Sequence, residues 1–178
     1  MTHELEQRIR DADRIAAVDS SGLVGLFNDD AFDRLLELAV LVTGAPRGVI
    51  ALVDADYTTA ISGYGFPEGL PLFAPIGFSF CRFVVGHGQP FLVEDALNDP
   101  RTIGDPAIDA FAAVAWIGFP IEDPRGNVLG NLCLMDSEPR EWTPIDIQTV
   151  ATLAQAASTE IALREERAAR VRSWQTAT

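Results

Sequence analysis

The chain has no lysine: all thirteen of its basic residues are arginine. A P-loop, a Schiff-base lysine and a lysine general base are therefore excluded. Histidine is nearly absent too. His3 and His87 are the only imidazoles, too few and too separated to build a metal cage without carboxylates. The two cysteines, Cys81 and Cys133, lie far apart and inside apolar strings, which suits reduced, buried thiols in a cytoplasmic protein better than a disulfide framework. No apolar run approaches a membrane span, and the charged N-terminus MTHELEQRIRDADR lacks the shape of a signal peptide. Positive charge is scarce as a whole. Twenty-six acidic residues against thirteen basic ones give a net charge of −13, a field that repels phosphate backbones and anionic lipid. Nucleic acid and membrane surfaces are not expected as partners.

What is present is ample apolar material: 178 residues with 48% hydrophobic content suffice for one domain around a large core. The stretch Trp116 to Asp136 is its most informative part. Two apolar runs flank the polar break Glu122-Asp123-Pro124-Arg125-Gly126-Asn127, where Pro124 presets φ and Gly126 and Asn127 tolerate positive φ. An antiparallel hairpin, apolar on both faces and so central in a covered sheet, is expected. Gly48 to Asp54 and Tyr57 to Ser62 read as a second hairpin, Gly63 to Gly77 as a long glycine- and proline-rich loop, and Pro90 to Val93 as a short strand.

Helical periodicity appears from Thr2 to about Val18, with Leu5 and Ile9 on one stripe. It returns after a cap at Asn28 or Asp29, where Phe32, Leu35, Leu36, Ala39 and Val42 share a stripe ended by Gly44 and Pro46. Ser79 is placed to cap a short helix, Phe80 to Val85, and a helical turn is expected near Ala107 to Phe111. Thr143-Pro144 with Asp146 opens the longest helix. Its seam runs through Ile147, Val150, Ala154, Ala157 and Ile161 and is interrupted at Arg164. A second apolar line, Leu153, Ala156 and Leu163, means that one contact partner is not enough for it.

Several motifs, taken in order, resemble the GAF family of sensory ligand-binding domains. They are Phe32-Asp33-Arg34-Leu35 before Leu41-Val42-Thr43-Gly44-Ala45-Pro46, then Ser79-Phe80-Cys81 with Val84-Val85, then Val93-Glu94-Asp95-Ala96 with Asp99-Pro100-Arg101, and finally Phe119-Pro120-Ile121 with Gly130-Asn131-Leu132-Cys133-Leu134-Met135-Asp136. The resemblance covers about residues 23 to 163, with an N-terminal helix and linker at 1–22 and an extension of the last helix at 164–178. It implies an α/β (α+β) fold: a central antiparallel sheet of five or six strands, terminal helices on one face, and a short helix with loops forming a pocket on the other. It also implies a module that binds a small molecule and relays the event to a signalling partner such as a kinase, phosphatase or cyclase.

Within that family some members reduce free methionine sulfoxide through thiols and others attach a bilin through cysteine. This chain departs from both patterns: no cysteine lies between Asp95 and Trp116, and Cys81 has no adjacent histidine. Neither a covalent bilin nor a haem is expected, and the chain is read as a regulator and not an enzyme, with a reductase or a ligand-free dimerisation module as the alternatives. No asparagine-lysine-phenylalanine stretch of the cyclic-nucleotide-binding members is present. The pocket candidates are Phe80, Cys81, Asp95, Asp99, Arg101, Trp116 and Gly118; strand alternation sets Trp116 beside a position with no side chain. Surplus apolar surface on the terminal helices points to a homodimer, with Leu5, Ile9, Val150, Ala154, Ala157 and Ile161 as its interface.

Overall fold

The computed structural model describes residues 3–27, 29–67 and 73–176. Thr2 and the proposed Asn28 cap lie outside the described residues. Among the described residues, six helices and six strands follow one another as α1 (His3–Ile9), α2 (Ala12–Ser20), α3 (Asp30–Thr43), β1 (Arg47–Val53), β2 (Tyr57–Tyr64), β3 (Phe73–Pro75), α4 (Cys81–His87), β4 (Phe91–Val93), α5 (Pro106–Phe111), β5 (Ala115–Glu122), β6 (Val128–Asp136) and α6 (Pro144–Thr176). The strands form one antiparallel sheet in the order β3-β2-β1-β6-β5-β4. The hairpin β5–β6 is internal to it, as its two apolar flanks require.

The hairpin turn is held by Asp123. Its carboxylate accepts from the backbone N–H groups of Arg125 (2.9 Å) and Asn127 (2.8 Å) and from both side chains at 2.9 Å, while Gly126 takes the positive φ of 84° that the reversal needs. At the start of α6 the hydroxyl of Thr143 accepts from the Asp146 N–H, and the Asp146 carboxylate accepts from the Thr143 N–H. This reciprocal cap satisfies two orphan donors.

Alternation along the strands divides the apolar residues into two cores. Ile50 and Leu52 of β1, Ile117 of β5, and Leu132 and Leu134 of β6 face α3 and α6. Val49, Ala51, Trp116, Cys133 and Met135 face the opposite way, toward α4 and α1. The terminal helices thus divide between the two faces, where one face was expected: α6 covers the first, but α1 packs on α4 over the second, burying Leu5 and Ile9. The periodic segment from Thr2 is also two helices and not one. Asp11 breaks it by capping α2, its side chain accepting from the Arg14 N–H. Within the stretch expected as a loop from Gly63 to Gly77, β2 runs on to Tyr64, Phe73–Pro75 form the edge strand β3, and a 3-10 turn follows at Ile76–Phe78.

The proposed dimer seam does not face outward. Leu5, Ile9, Val150, Ala154, Ala157 and Ile161 are all buried within the protomer. The second partner that α6 needs is α3 of the same chain. Arg164 belongs to that contact: its guanidinium makes a forked pair with Asp29 at 2.9 and 2.7 Å, bonds Glu160 at 2.7 Å and lies 4.9 Å from the ring centre of Phe32. Asp29 also caps α3, accepting from Ala31 N–H.

Three carboxylates are held below the ordinary range. At Asp29 the cause is the hydrogen bonding from Arg164, and at Asp99 that from Arg101. At Asp123 burial pushes upward, and the bonds from Asn127 and Arg125 outweigh it. A carboxyl depressed in the folded state adds stability above its unfolded value, near 3.9, and the gain disappears as pH falls through the folded value. Urea midpoints should therefore be flat from about pH 7 to 5 and drop below about pH 4, and Asp123→Asn should lessen that drop.

Candidate functional site

Between the sheet and the layer of α4 and α5 lies a cavity of about 40 Å³, room for two or three water-sized molecules. Its walls are almost wholly apolar. Phe66, Phe73, Phe80, Phe111, Trp116 and Met135 supply the large surfaces, and Ala60, Ala74 and Ala113 leave the space between them. Phe80 and Trp116 meet edge to face at 6.1 Å, a favourable aromatic geometry that fixes both rings. Among the described residues no charged side chain lines the cavity.

Its polar groups are few: Thr58 on β2, Ser79 before α4, and the thiols of Cys81 and Cys133. The Thr58 hydroxyl is buried and has no hydrogen-bond partner among the described residues. Ser79 is occupied, since its hydroxyl accepts from the Cys81 N–H at 3.2 Å, but the N-cap position of α4 is Phe80, one residue later than expected, and that residue makes no side-chain capping bond. The Cys81 and Cys133 thiols line one cavity wall, where α4 packs on β6, and each shifts the titration of the other. Beside them stands Asn131, wholly buried, with both its amide oxygen and its amide nitrogen lacking a well-formed partner. The Cys133 thiol holds that of Cys81 below the ordinary cysteine range despite burial, with Ser79 and Asn131 acting in the same direction. Cys133 is pushed well above that range, first by its bond to Cys81 and then by burial.

The roof of the cavity is anchored by a buried ion pair between Arg82 of α4 and Asp105, which itself caps α5 by accepting from Ala107 N–H. Arg82 also donates to the carbonyls of Ser79 (2.7 Å) and Gly77 (3.2 Å), so one guanidinium joins α4, α5 and the 3-10 turn.

Of the residues singled out in the sequence, Phe80, Cys81 and Trp116 line the cavity. Gly118 does not, because the space above it is taken: a Cβ there would lie 2.3 Å from the Trp116 ring. The indole folds back over the glycine and leaves no slot for a ligand between them. Asp95, Asp99 and Arg101 are also outside. Asp95 accepts from Leu97 N–H and the Asn98 side chain, and Asp99 binds Arg101 at 2.5–3.1 Å, so these groups organise their own loop. The cavity residues not foreseen, Thr58 and Ala60 above all, alternate along β2, and that pattern of small side chains on one strand face was their only signal.

A GAF domain family model matches residues 28–161. The chain belongs to the GAF family. As a GAF domain it is of the sensory and regulatory kind, a class that spans many ligands. A cyclic di-GMP phosphodiesterase of Pseudomonas aeruginosa is 29% identical over 130 residues, which are 71% of this chain and 21% of that protein. The chain thus spans about a fifth of that relative. The GAF domain of an Acinetobacter phosphoenolpyruvate-protein phosphotransferase has the same fold, with a TM-score of 0.64 at 15% identity over 94% of this chain and 99% of that one. So does the GAF domain of Thermosynechococcus elongatus PixJ in its blue-light absorbing form, with a TM-score of 0.66 at 14% identity over 93% and 97%. Among the described residues no helix is long and apolar enough to cross a membrane, and no three His, Cys, Asp or Glu side chains cluster as metal ligands.

Proposed function

We infer that this GAF domain is a regulatory module whose cavity takes a small, uncharged, largely apolar molecule, with the Thr58 hydroxyl as its polar anchor. The observation that carries the reading is an aromatic-walled cavity that holds, among the described residues, an unpartnered buried hydroxyl and no cation. A buried hydroxyl left unpaired costs about 1–3 kcal/mol, and a ligand that bonds it recovers that energy. A phosphate-bearing ligand finds no cation among the described residues of the wall, which favours an uncharged ligand over a nucleotide. With no thiol loop between Asp95 and Trp116, regulation is favoured over sulfoxide reduction.

Ala60→Val tests the reading directly. If the cavity is functional space, the added carbons fill it at about 0.8 kcal/mol gained per buried CH₂, so the ligand-free protein melts higher while ligand binding is lost. A loss of about 1–3 kcal/mol, the ordinary cost of overpacking, would instead show a filled core.

The relay in this reading runs through α3 and α6, which meet on the far side of the sheet. The last buried residue of α6 is Ile161, and the helix continues to Thr176 with Leu163, Val171 and Trp174 exposed, while α3 exposes Leu38, Leu41 and Val42. A second copy of the chain covers this apolar surface by two-fold symmetry. Trp174→Glu combined with Leu41→Glu should yield folded monomers by light scattering with an unchanged melt. An intact chain that stays monomeric at high concentration would end the dimer proposal.

A further inference from the structure

The cavity wall holds a feature that ligand binding does not use: two buried thiols on one wall, contributed by α4 and β6, which pack together though they lie far apart in the chain. Cys81 opens α4 and Cys133 lies in the middle of β6; they are 4% and 1% exposed and both line the cavity. The Asn131 amide stands at the same place with its oxygen and nitrogen both free of well-formed bonds. The space beside the sulfurs admits a water-sized molecule, and hydrogen peroxide is of that size and uncharged.

We propose that Cys81 and Cys133 form a redox-active dithiol that a small hydroperoxide, entering by the cavity, converts to an intramolecular disulfide joining α4 to β6. The Cys81 sulfur attacks one peroxide oxygen; the O–O bond breaks, a sulfenic acid forms and hydroxide leaves. The Cys133 sulfur then attacks the sulfenic sulfur, the S–O bond breaks, and a second hydroxide leaves as the S–S bond closes. Both hydroxides take up the two thiol protons. Two thiols and one peroxide give one disulfide and two waters, the sulfurs oxidised and the peroxide reduced. The order of attack follows from the surroundings: Cys133, Ser79 and Asn131 hold the Cys81 thiol below the ordinary cysteine range, whereas Cys133 is pushed above it, so Cys81 is the better nucleophile. The access route rests on the reading of the cavity as space open to a small uncharged molecule; the burial of both thiols where α4 packs on β6 is independent of it.

The test treats the full chain with hydrogen peroxide and reads free thiols, intact mass and a peptide map. The expected product has lost both thiols and two hydrogens, carries a Cys81–Cys133 crosslink, and returns to the starting mass with dithiothreitol. In Cys133→Ala the reaction should stop at a Cys81 sulfenic acid that dimedone traps, whereas Cys81→Ala should react about tenfold slower or less, because the remaining thiol is a poor nucleophile. Thermal melts of both variants verify that they are folded. Wild-type protein that keeps both thiols under peroxide, or that proceeds to sulfinic acid without a crosslink, overturns the proposal. Ala60→Val separates it from the cavity reading: crosslinking at an unchanged rate leaves the dithiol standing and refutes the cavity as its route, while a slowed reaction supports both.

Discussion

Arg14→Met should cost the fold about 3 kcal/mol or more, read as a lower urea midpoint with an unchanged slope. Arg14 is 5% exposed, and its guanidinium serves four backbone carbonyls. It donates to Ile9 at 2.9 Å, Val53 at 2.6 Å, Asp54 at 3.2 Å and Val128 at 3.3 Å. These carbonyls end α1, end β1, follow β1 and begin β6, so a single side chain ties the N-terminal helices to the sheet. Burial brings the guanidinium down to about 10, still far above neutrality, so the charge is retained and the four acceptors satisfy it. Methionine fills a similar volume but leaves those acceptors without their donor. Arg14→Lys keeps the charge and loses the fork, and should fall between the two. A loss below about 1 kcal/mol for Arg14→Met would mean that water replaces the guanidinium readily.

Gly130→Ala should be more damaging still, by about 4 kcal/mol or more. Gly130 pairs with Leu52 on one side and Ile121 on the other, in the middle of the sheet. A Cβ there would sit 1.8 Å from the Ala51 carbonyl oxygen and 2.8 Å from its carbon. Those are backbone atoms, so no rotamer change relieves the contact and β1 must separate from β6. Gly77→Ala is the matched control: its Cβ would meet nothing within 4 Å, and it should shift stability by no more than about 0.5 kcal/mol. Equal melts for the two variants would contradict the backbone geometry at β6.

These two residues mark the boundary of what the sequence discloses. The β5–β6 hairpin is legible because its turn chemistry is local: Asp123, Gly126 and Asn127 satisfy one another within five residues. The start of α6 is legible for the same reason, through Thr143 and Asp146. Contacts distant in sequence are not. Nothing in the neighbourhood of Arg14 announces that it will meet β1 and β6, and its spacing suits a solvated helix face equally well. The surplus apolar line on α6 was a sound observation, yet periodicity cannot name the partner, and α3 of the same chain takes the place assigned to a second subunit. The break at Asp11 was hidden because no proline or glycine marks it; an aspartate cap does the work within a continuous apolar stripe.

The cavity shows the same division. Strand alternation correctly brought Trp116 and Gly118 to one face, but it carries no information on the indole rotamer, and the ring covers the glycine. Asp95, Asp99 and Arg101 have side chains of types that suit a ligand; the carboxylates are engaged within their own loop, and Arg101 bonds Asp99 and the Leu92 carbonyl of β4. Thr58 and Ala60 come from a strand whose small residues look unremarkable until the aromatic rings from α4, α5 and β5 surround them.

The central claim is that the cavity is working space for a small neutral molecule. Native mass spectrometry of the full chain, recovered from its own cells without denaturation, tests it most directly when run beside Ala60→Val prepared in the same way. A small neutral adduct on the wild-type protein that is absent from a folded, more stable Ala60→Val is the result predicted. Identical spectra without an adduct, together with an Ala60→Val protein less stable than the wild type, would contradict it and make the aromatic cluster an ordinary core.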